Sequence, residues 1–182
     1  MKKCSVGILP HARSLFIDHL FALLISLVIT NIINFFSSGG IPLLQLISSI
    51  FVYFLITYSD SWHRGVSDGN RMKSGAIKKD IFRGFYAGLI ASVPGFVLGI
   101  LAFFVENGSF FVYDMFGVDL FTSLNRLWQL PLSSLYLFVN KVPALNLFYP
   151  LVLPVFSEIG YFMGLNGCSL KKYFIYKNGD AE

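Results

Sequence analysis

The chain has 182 residues, of which 55% are hydrophobic and only 13% are charged, and its net charge is +4. Soluble proteins carry charge on ~25% of their residues, so this composition excludes an ordinary soluble domain and favours a chain surrounded by lipid. The positive charge does not indicate nucleic-acid binding, because membrane proteins collect Lys and Arg on their cytoplasmic loops.

Four apolar segments of roughly twenty residues predict membrane-spanning helices at 15–36, 41–58, 85–105 and 144–165. A helix of this length crosses the ~30 Å hydrocarbon core of a bilayer. The first segment is longer than the apolar region of a secretory signal peptide, which disfavours cleavage. We therefore expect an all-α membrane protein: one integral domain over 1–182, built as a four-helix transmembrane bundle.

The basic residues predict the orientation of this bundle. Four spans place the N-terminal segment, the connection 59–84 and the C-terminal tail on one side, which then holds twelve of the fourteen Lys and Arg residues. The positive-inside rule makes that side cytoplasmic. We therefore expect a multi-pass protein of the plasma membrane with both termini in the cytoplasm.

The connection 59–84 is the most polar part of the chain. Its Gly65, Asp68 and Gly69 favour tight turns over a helix, and 74–83 has the pattern of a short basic helix. Three interpretations stay open: attraction to anionic lipids, docking of a cytoplasmic protein, or a pocket for a phosphate-bearing ligand. The candidate residues for docking or lipid contact are Trp62, Arg64, Asp68, Asn70, Arg71 and Lys73.

The segment 110–143 lies between the third and fourth spans and is amphipathic. Phe116, Leu120, Leu124 and Leu127 share one helical face, and polar residues share the other. This pattern is typical of a helix that lies in the membrane interface, with Trp128 as an anchor. A re-entrant hairpin over 131–141 is the alternative.

Small residues form stripes on the last two spans. Helices in lipid approach closely where side chains are small, so we expect these spans to pack against each other, or against other membrane subunits or a second copy of the chain. The packing residues are Gly84, Gly88, Gly95, Gly99, Gly160 and Gly164.

Glu158 is the sharpest candidate for chemistry, because a carboxylate within hydrocarbon is costly and must face protein, water or a partner. Asp18 and His19 enter the membrane from the same side on the first span. These three residues form a candidate intramembrane polar site, with either a proton- or cation-binding role or a structural one.

Catalytic, cofactor and metal motifs are not found. The sequence contains no HExxH, GxSxG, phosphate-binding loop or Cys/His cluster, and its two cysteines, Cys4 and Cys168, are too far apart for a metal site. We therefore expect no catalytic residue, cofactor or metal.

Two patterns carry a resemblance. The first is Trp62-x-x-Gly65-x-x-Asp68-x-Asn70, followed by Gly75, Asp80, Gly84 and Pro94; the second is Glu158-x-Gly160-Tyr161-x-x-Gly164, followed by Ser169 and Tyr176-Lys177. Together they resemble small, uncharacterised polytopic membrane proteins of Gram-positive bacteria. The resemblance covers about half of the chain and implies no activity and no site residues.

The sequence favours a non-enzymatic function. The leading hypothesis is an accessory or scaffold subunit that pairs with membrane proteins through its small-residue stripe and basic loop. The alternative is a small transporter or channel component that uses Glu158 in a proline-broken span. A lipid- or peptide-binding protein, such as an immunity factor, is a third hypothesis.

Overall fold

The computed structural model describes residues 7–36, 42–78, 80–106, 120–132 and 147–168. All regular structure in these residues is helical. The predictions for both termini, for 37–41, for 107–119 and for 133–146 lie outside the described residues. The five α-helices are α1 (Ile8–Phe36), α2 (Pro42–Lys73), α3 (Arg83–Glu106), α4 (Leu120–Trp128) and α5 (Val152–Leu165). Two 3₁₀ turns accompany them, at Leu130–Leu132 and Tyr149–Leu151.

Three of the helices, α1, α2 and α3, are long and apolar enough to cross a membrane. The fourth predicted span is shorter: its described helix covers Tyr149–Leu165, and 144–146 are outside the described residues. At 1.5 Å per residue, this helix is about 25 Å long. The chain is therefore a helical membrane protein with three full-length candidate spans and one shorter apolar helix.

The surface of the bundle is apolar, and much of its interior is polar. Side chains such as Leu24, Phe51 and Val93 are 61%, 58% and 52% exposed, whereas the buried set includes histidine, glutamine, serine and threonine side chains. This distribution is the reverse of that in soluble proteins. It is the arrangement expected where lipid covers the outside and polar groups must find partners inside.

Helix α2 corrects the prediction for 59–84, since it continues without a break to Lys73. The residues that suggested turns, Gly65, Asp68 and Gly69, are buried within it. The chain turns only after Lys73, where Gly75 takes a φ of 72°. The described residues between 74 and 82 are not helical, so the short basic helix over 74–83 is also wrong.

Glycine occurs inside α2 because the backbone of α5 lies against it. A methyl group added at Gly65 would clash with the main-chain oxygen of Tyr161, and one added at Gly164 would clash with that of Trp62. At Gly160 the added carbon would be 2.7 Å from the oxygen of Tyr58. Close contact along this interface outweighs the ~1 kcal/mol that glycine costs within a helix.

Helix α3 packs on α5 through the first two glycines of its stripe. A carbon added at Gly84 would lie 2.6 Å from Cβ of Tyr161, and one added at Gly88 would lie 2.5 Å from Cα of Pro154. Gly99, further along α3, is also buried. The stripes of small residues are therefore occupied by helices of this same chain.

Helix α4 does not have the orientation expected of an interfacial helix. Its Asn125 is buried, whereas Leu120 and Leu127 are 51% and 47% exposed. The indole of Trp128 reaches Gly95, half-way along α3, where an added carbon would lie 2.7 Å from Nε1. Trp128 is thus a packing residue inside the bundle. An interfacial position would leave its polar face in water, but here Asn125 and Gln129 of that face are buried, whereas Arg126 is exposed.

Candidate functional site

A row of buried polar side chains follows the inward face of α2. The first five members recur at every fourth position and the sixth follows seven positions later, which places them on one side of a helix, and each is at most 8% exposed. We call them the polar seam: Gln45, Ser49, Tyr53, Thr57, Ser61 and Asp68. From Gln45 to Asp68 the seam is about 35 Å long, which is enough to cross the ~30 Å hydrocarbon core.

We call the end of the bundle where α1 begins and α2 ends the basic end. Four helices contribute there to a chain of hydrogen bonds. Ser157 donates to the main-chain oxygen of Gly84 at 3.0 Å. Its only proton is thereby used, so Ser61 is the donor in the 3.0 Å contact between the two serine hydroxyls. His11 Nε2, 3.4 Å from Ser61 Oγ, must then carry a proton and donate to Ser61.

This arrangement is unsuited to nucleophilic catalysis. Asp60 Oδ2 lies 3.9 Å from Nε2 of His11, the same nitrogen that faces Ser61. In a catalytic triad, the acid and the nucleophile occupy opposite nitrogens of the imidazole. The chain of hydrogen bonds therefore orders side chains across α1, α2, α3 and α5 without activating Ser61.

Asp68 ends the seam with a buried ionic contact. It accepts a hydrogen bond from the hydroxyl of Tyr161 at 3.2 Å and lies 3.3 Å from Nη1 of Arg83. Both charged side chains are about nine-tenths buried. Arg71, which is 47% exposed, lies further away at 3.9 Å. Asp68 was predicted as a docking residue, but it faces the bundle and holds α2, α3 and α5 together.

Glu158 is on α5 and lies beside the start of α3. Its Oε2 accepts a hydrogen bond of 2.7 Å from the backbone N–H of Phe85. The first N–H groups of a helix have no partner within it, and a carboxylate there is also favoured by the helix dipole. The geometry thus gives Glu158 the role of a helix cap supplied by a neighbouring helix.

His19 lies deeper, half-way through the bundle. Its Nε2 is 3.1 Å from the main-chain oxygen of Trp128, which only accepts, so Nε2 carries the proton. Its Nδ1 then accepts from the hydroxyl of Tyr53 at 2.9 Å. Among the described hydrogen bonds and ion pairs, none joins His19 to Asp18 or to Glu158, so these interactions do not connect the three residues of the expected cluster.

A small cavity adjoins His19. Its volume is about 20 Å³, which is room for a single water molecule. The lining includes the polar side chains of Tyr53, Ser92, Gln129 and Tyr149. A site of this size and polarity is suited to holding water between the seam and the turn that follows α4.

Some interior polar atoms have no hydrogen-bond partner among the described residues. They include the hydroxyls of Thr57 and Ser26, both 0% exposed, and Oδ2 of Asp18. A buried polar atom without a partner costs about 1–3 kcal/mol. Such atoms within a membrane-spanning bundle indicate positions that water or another polar ligand would satisfy.

The other residues predicted for docking all lie on α2. Trp62 donates from Nε1 to the main-chain oxygen of Cys168 at 2.6 Å, which ties the end of α5 to α2. Arg64, Asn70 and Lys73 are exposed. They form no flexible loop, because the helix fixes their spacing.

Sequence reasoning missed His11, Tyr53, Thr57, Ser61 and Ser157. The signal for the seam was present, since polar residues at 45, 49, 53, 57 and 61 recur with the spacing of a helical face. The predicted second span ended at residue 58, and the continuation of the polar pattern beyond that residue was therefore not recognised.

The comparisons with known proteins give no match: no family model, no curated protein and no solved structure resembles the chain. Within the described residues, no group of three or more His, Cys, Asp or Glu side chains is placed to hold a metal ion.

Proposed function

We propose that the chain is a multi-pass protein of the cell membrane with four crossings and its basic end in the cytoplasm. The fourth crossing is divided between α4 and α5. Trp128 at the end of α4 and Pro150 at the start of the last helical segment both lie against Gly95. The charge distribution of the sequence supports the orientation.

Within that frame, we propose a function in transport: a small transporter or channel component that passes protons along the polar seam. The observation that carries this proposal is the row of buried polar side chains that recurs along α2 over about 35 Å. Broken helices in membrane proteins are tolerated where they line a polar cavity. The described residues that follow α4 and precede α5, among them Gln129 and Tyr149, line the cavity at His19.

We propose the polar seam, in place of Glu158, as the route for protons. Glu158 is bonded to the N–H of Phe85, whereas Thr57 lies between the His11 and His19 clusters on the inward face of α2. The Thr57 hydroxyl has no hydrogen-bond partner among the described residues. A water-linked relay between the two clusters would use this hydroxyl.

The surfaces on which the accessory-subunit hypothesis was based are used in part within the chain. The glycines of α3 and α5 contact helices of the same chain, and the basic loop is largely part of α2. Pairing with other subunits stays a prediction without an assigned surface, as does the expectation of a non-enzymatic protein.

The test is proton flux in proteoliposomes, measured with an internal pH dye under an imposed potential. Thr57→Val keeps the shape of the side chain and removes its hydroxyl. We expect a decrease in flux of about tenfold, the effect of ~1.4 kcal/mol on a barrier. Ser59→Ala is the matched control, because Ser59 is exposed on the same helix and should leave the flux unchanged.

The stability of the Thr57 variant separates transport from a structural role. Removing a hydroxyl without a partner should leave folding unchanged or improve it, so a decrease in flux cannot then be attributed to unfolding. Parent protein that passes no protons would refute the proposal, and so would a Thr57→Val variant with the flux of the parent.

A further inference from the structure

We infer that an anionic phospholipid binds in a groove between α1 and α2 at the basic end. The groove has a volume of about 460 Å³. It is lined by Leu9, Pro10, Arg13, Ser14, Ile17 and Arg64. Five of these residues share one face of α1, and Arg64 comes from α2, so the groove exists only because the two helices pack together.

The groove is positively charged, and its charged groups are accessible to a ligand. Arg13 and Arg64 are both exposed, and neither forms an ion pair within the described parts of the chain. The nearby carboxylates turn inward: Oδ2 of Asp60 faces His11, and Oδ2 of Asp18 is buried. Two guanidinium groups and a serine hydroxyl in one groove match a phosphodiester, since arginine binds phosphate through paired N–H donors.

The apolar part of the groove distinguishes a lipid from a soluble phosphate. Leu9 and Ile17 are 70% and 54% exposed, and they flank the arginines. Further along α1, Phe21 and Leu24 continue the exposed apolar surface at 55% and 61%. An acyl chain would lie on this surface while its phosphate contacts the two arginines. A soluble anion would gain nothing from it.

The test is native mass spectrometry of delipidated protein titrated with phosphatidylglycerol or phosphatidylcholine. The parent protein should bind phosphatidylglycerol in preference to phosphatidylcholine. Arg13→Gln and Arg64→Gln should each weaken that binding about fivefold, as expected for one basic group at an anionic surface. The double variant should bind both lipids equally.

Arg126→Gln is the matched control, because Arg126 is also exposed but lies on α4, outside the groove. It should keep the preference of the parent. A double variant that retains the preference for phosphatidylglycerol would overturn the inference, as would a parent without any preference.

A titration with inorganic phosphate distinguishes a lipid phosphate from a free phosphate ion as the ligand of the groove. Millimolar phosphate should leave the phosphatidylglycerol adduct in place, because phosphate lacks the apolar contacts. Displacement of the lipid by phosphate would show a site for a soluble anion and would refute the assignment to lipid. Neither result depends on whether the protein passes protons.

Discussion

His19 on α1 donates from Nε2 to the main-chain oxygen of Trp128, over 3.1 Å and across 109 positions of sequence. The imidazole also lies beside the indole, with 4.7 Å between ring centroids. This contact joins the first helix to the end of α4, and it places the turn Leu130–Leu132 in the interior.

The first prediction concerns this bond. His19→Leu leaves the Trp128 oxygen and the Tyr53 hydroxyl without their partner, and we expect a loss of about 1–3 kcal/mol in unfolding free energy. Trp128 fluorescence should shift to the red, because water reaches the indole once α4 is released. A Trp62→Phe background isolates that signal, since the chain has two tryptophans.

A double-mutant cycle with Tyr53→Phe supplies the control. Tyr53 bonds to the same imidazole, so the two substitutions should be less than additive, with a coupling of about 0.5–1.5 kcal/mol. Full additivity would contradict a shared network.

The second prediction concerns the glycines between α2 and α5. Gly160→Ala and Gly164→Ala each insert a methyl group against a main-chain oxygen of α2. We expect each to lower the unfolding free energy by about 1–3 kcal/mol, the cost of overpacking. The measurement is thermal unfolding in detergent. Ser67→Ala, at an exposed position of α2, should change stability by less than about 0.5 kcal/mol.

The third prediction compares two arginines beside one carboxylate. Arg83→Gln removes the closely placed, buried partner of Asp68, and a buried charge without its partner costs about 3–5 kcal/mol. Arg71→Gln removes a partner that is 47% exposed and 3.9 Å away. The expected loss there is at most about 1 kcal/mol. Equal losses in a denaturant titration would show that burial does not control this interaction.

The fourth prediction concerns Glu158. Glu158→Gln retains an oxygen that accepts from the N–H of Phe85, so the cost should be limited to the charge at the helix N-terminus, about 0.3–1 kcal/mol. Glu158→Leu also loses the acceptor and should destabilise more. Proton flux in proteoliposomes should be unchanged in Glu158→Gln. A large loss of flux in that stable variant would restore Glu158 as a transport residue.

The sequence predicted α1 and α3 closely because apolar length is a local property. The expected starts at 15 and 85 lie inside helices that begin at Ile8 and Arg83. Hydropathy detects where residues prefer lipid, and it misses helical turns that extend beyond the apolar part. Polar residues such as His11 therefore fell outside the predicted span, although they are buried against α2.

Helix α2 shows where local reasoning fails. Gly65, Asp68 and Gly69 have weak helix propensity in isolation, and their pattern is typical of turns. In the folded chain, the backbone of α5 fills the space beside the glycines, and Arg83 with Tyr161 satisfies Asp68. These partners are more than ten positions away in sequence, so a short sequence window around Asp68 does not show that they stabilise the helix.

The sequence by itself determined that lipid surrounds this protein and that its backbone is helical. Long apolar segments leave no other way to satisfy N–H and C=O groups in lipid. Only the tertiary structure decided which polar groups meet, because hydrogen bonds depend on distances of about 3 Å between residues far apart in the chain. Packing therefore made Glu158 a helix cap and made His19 a bond between α1 and α4.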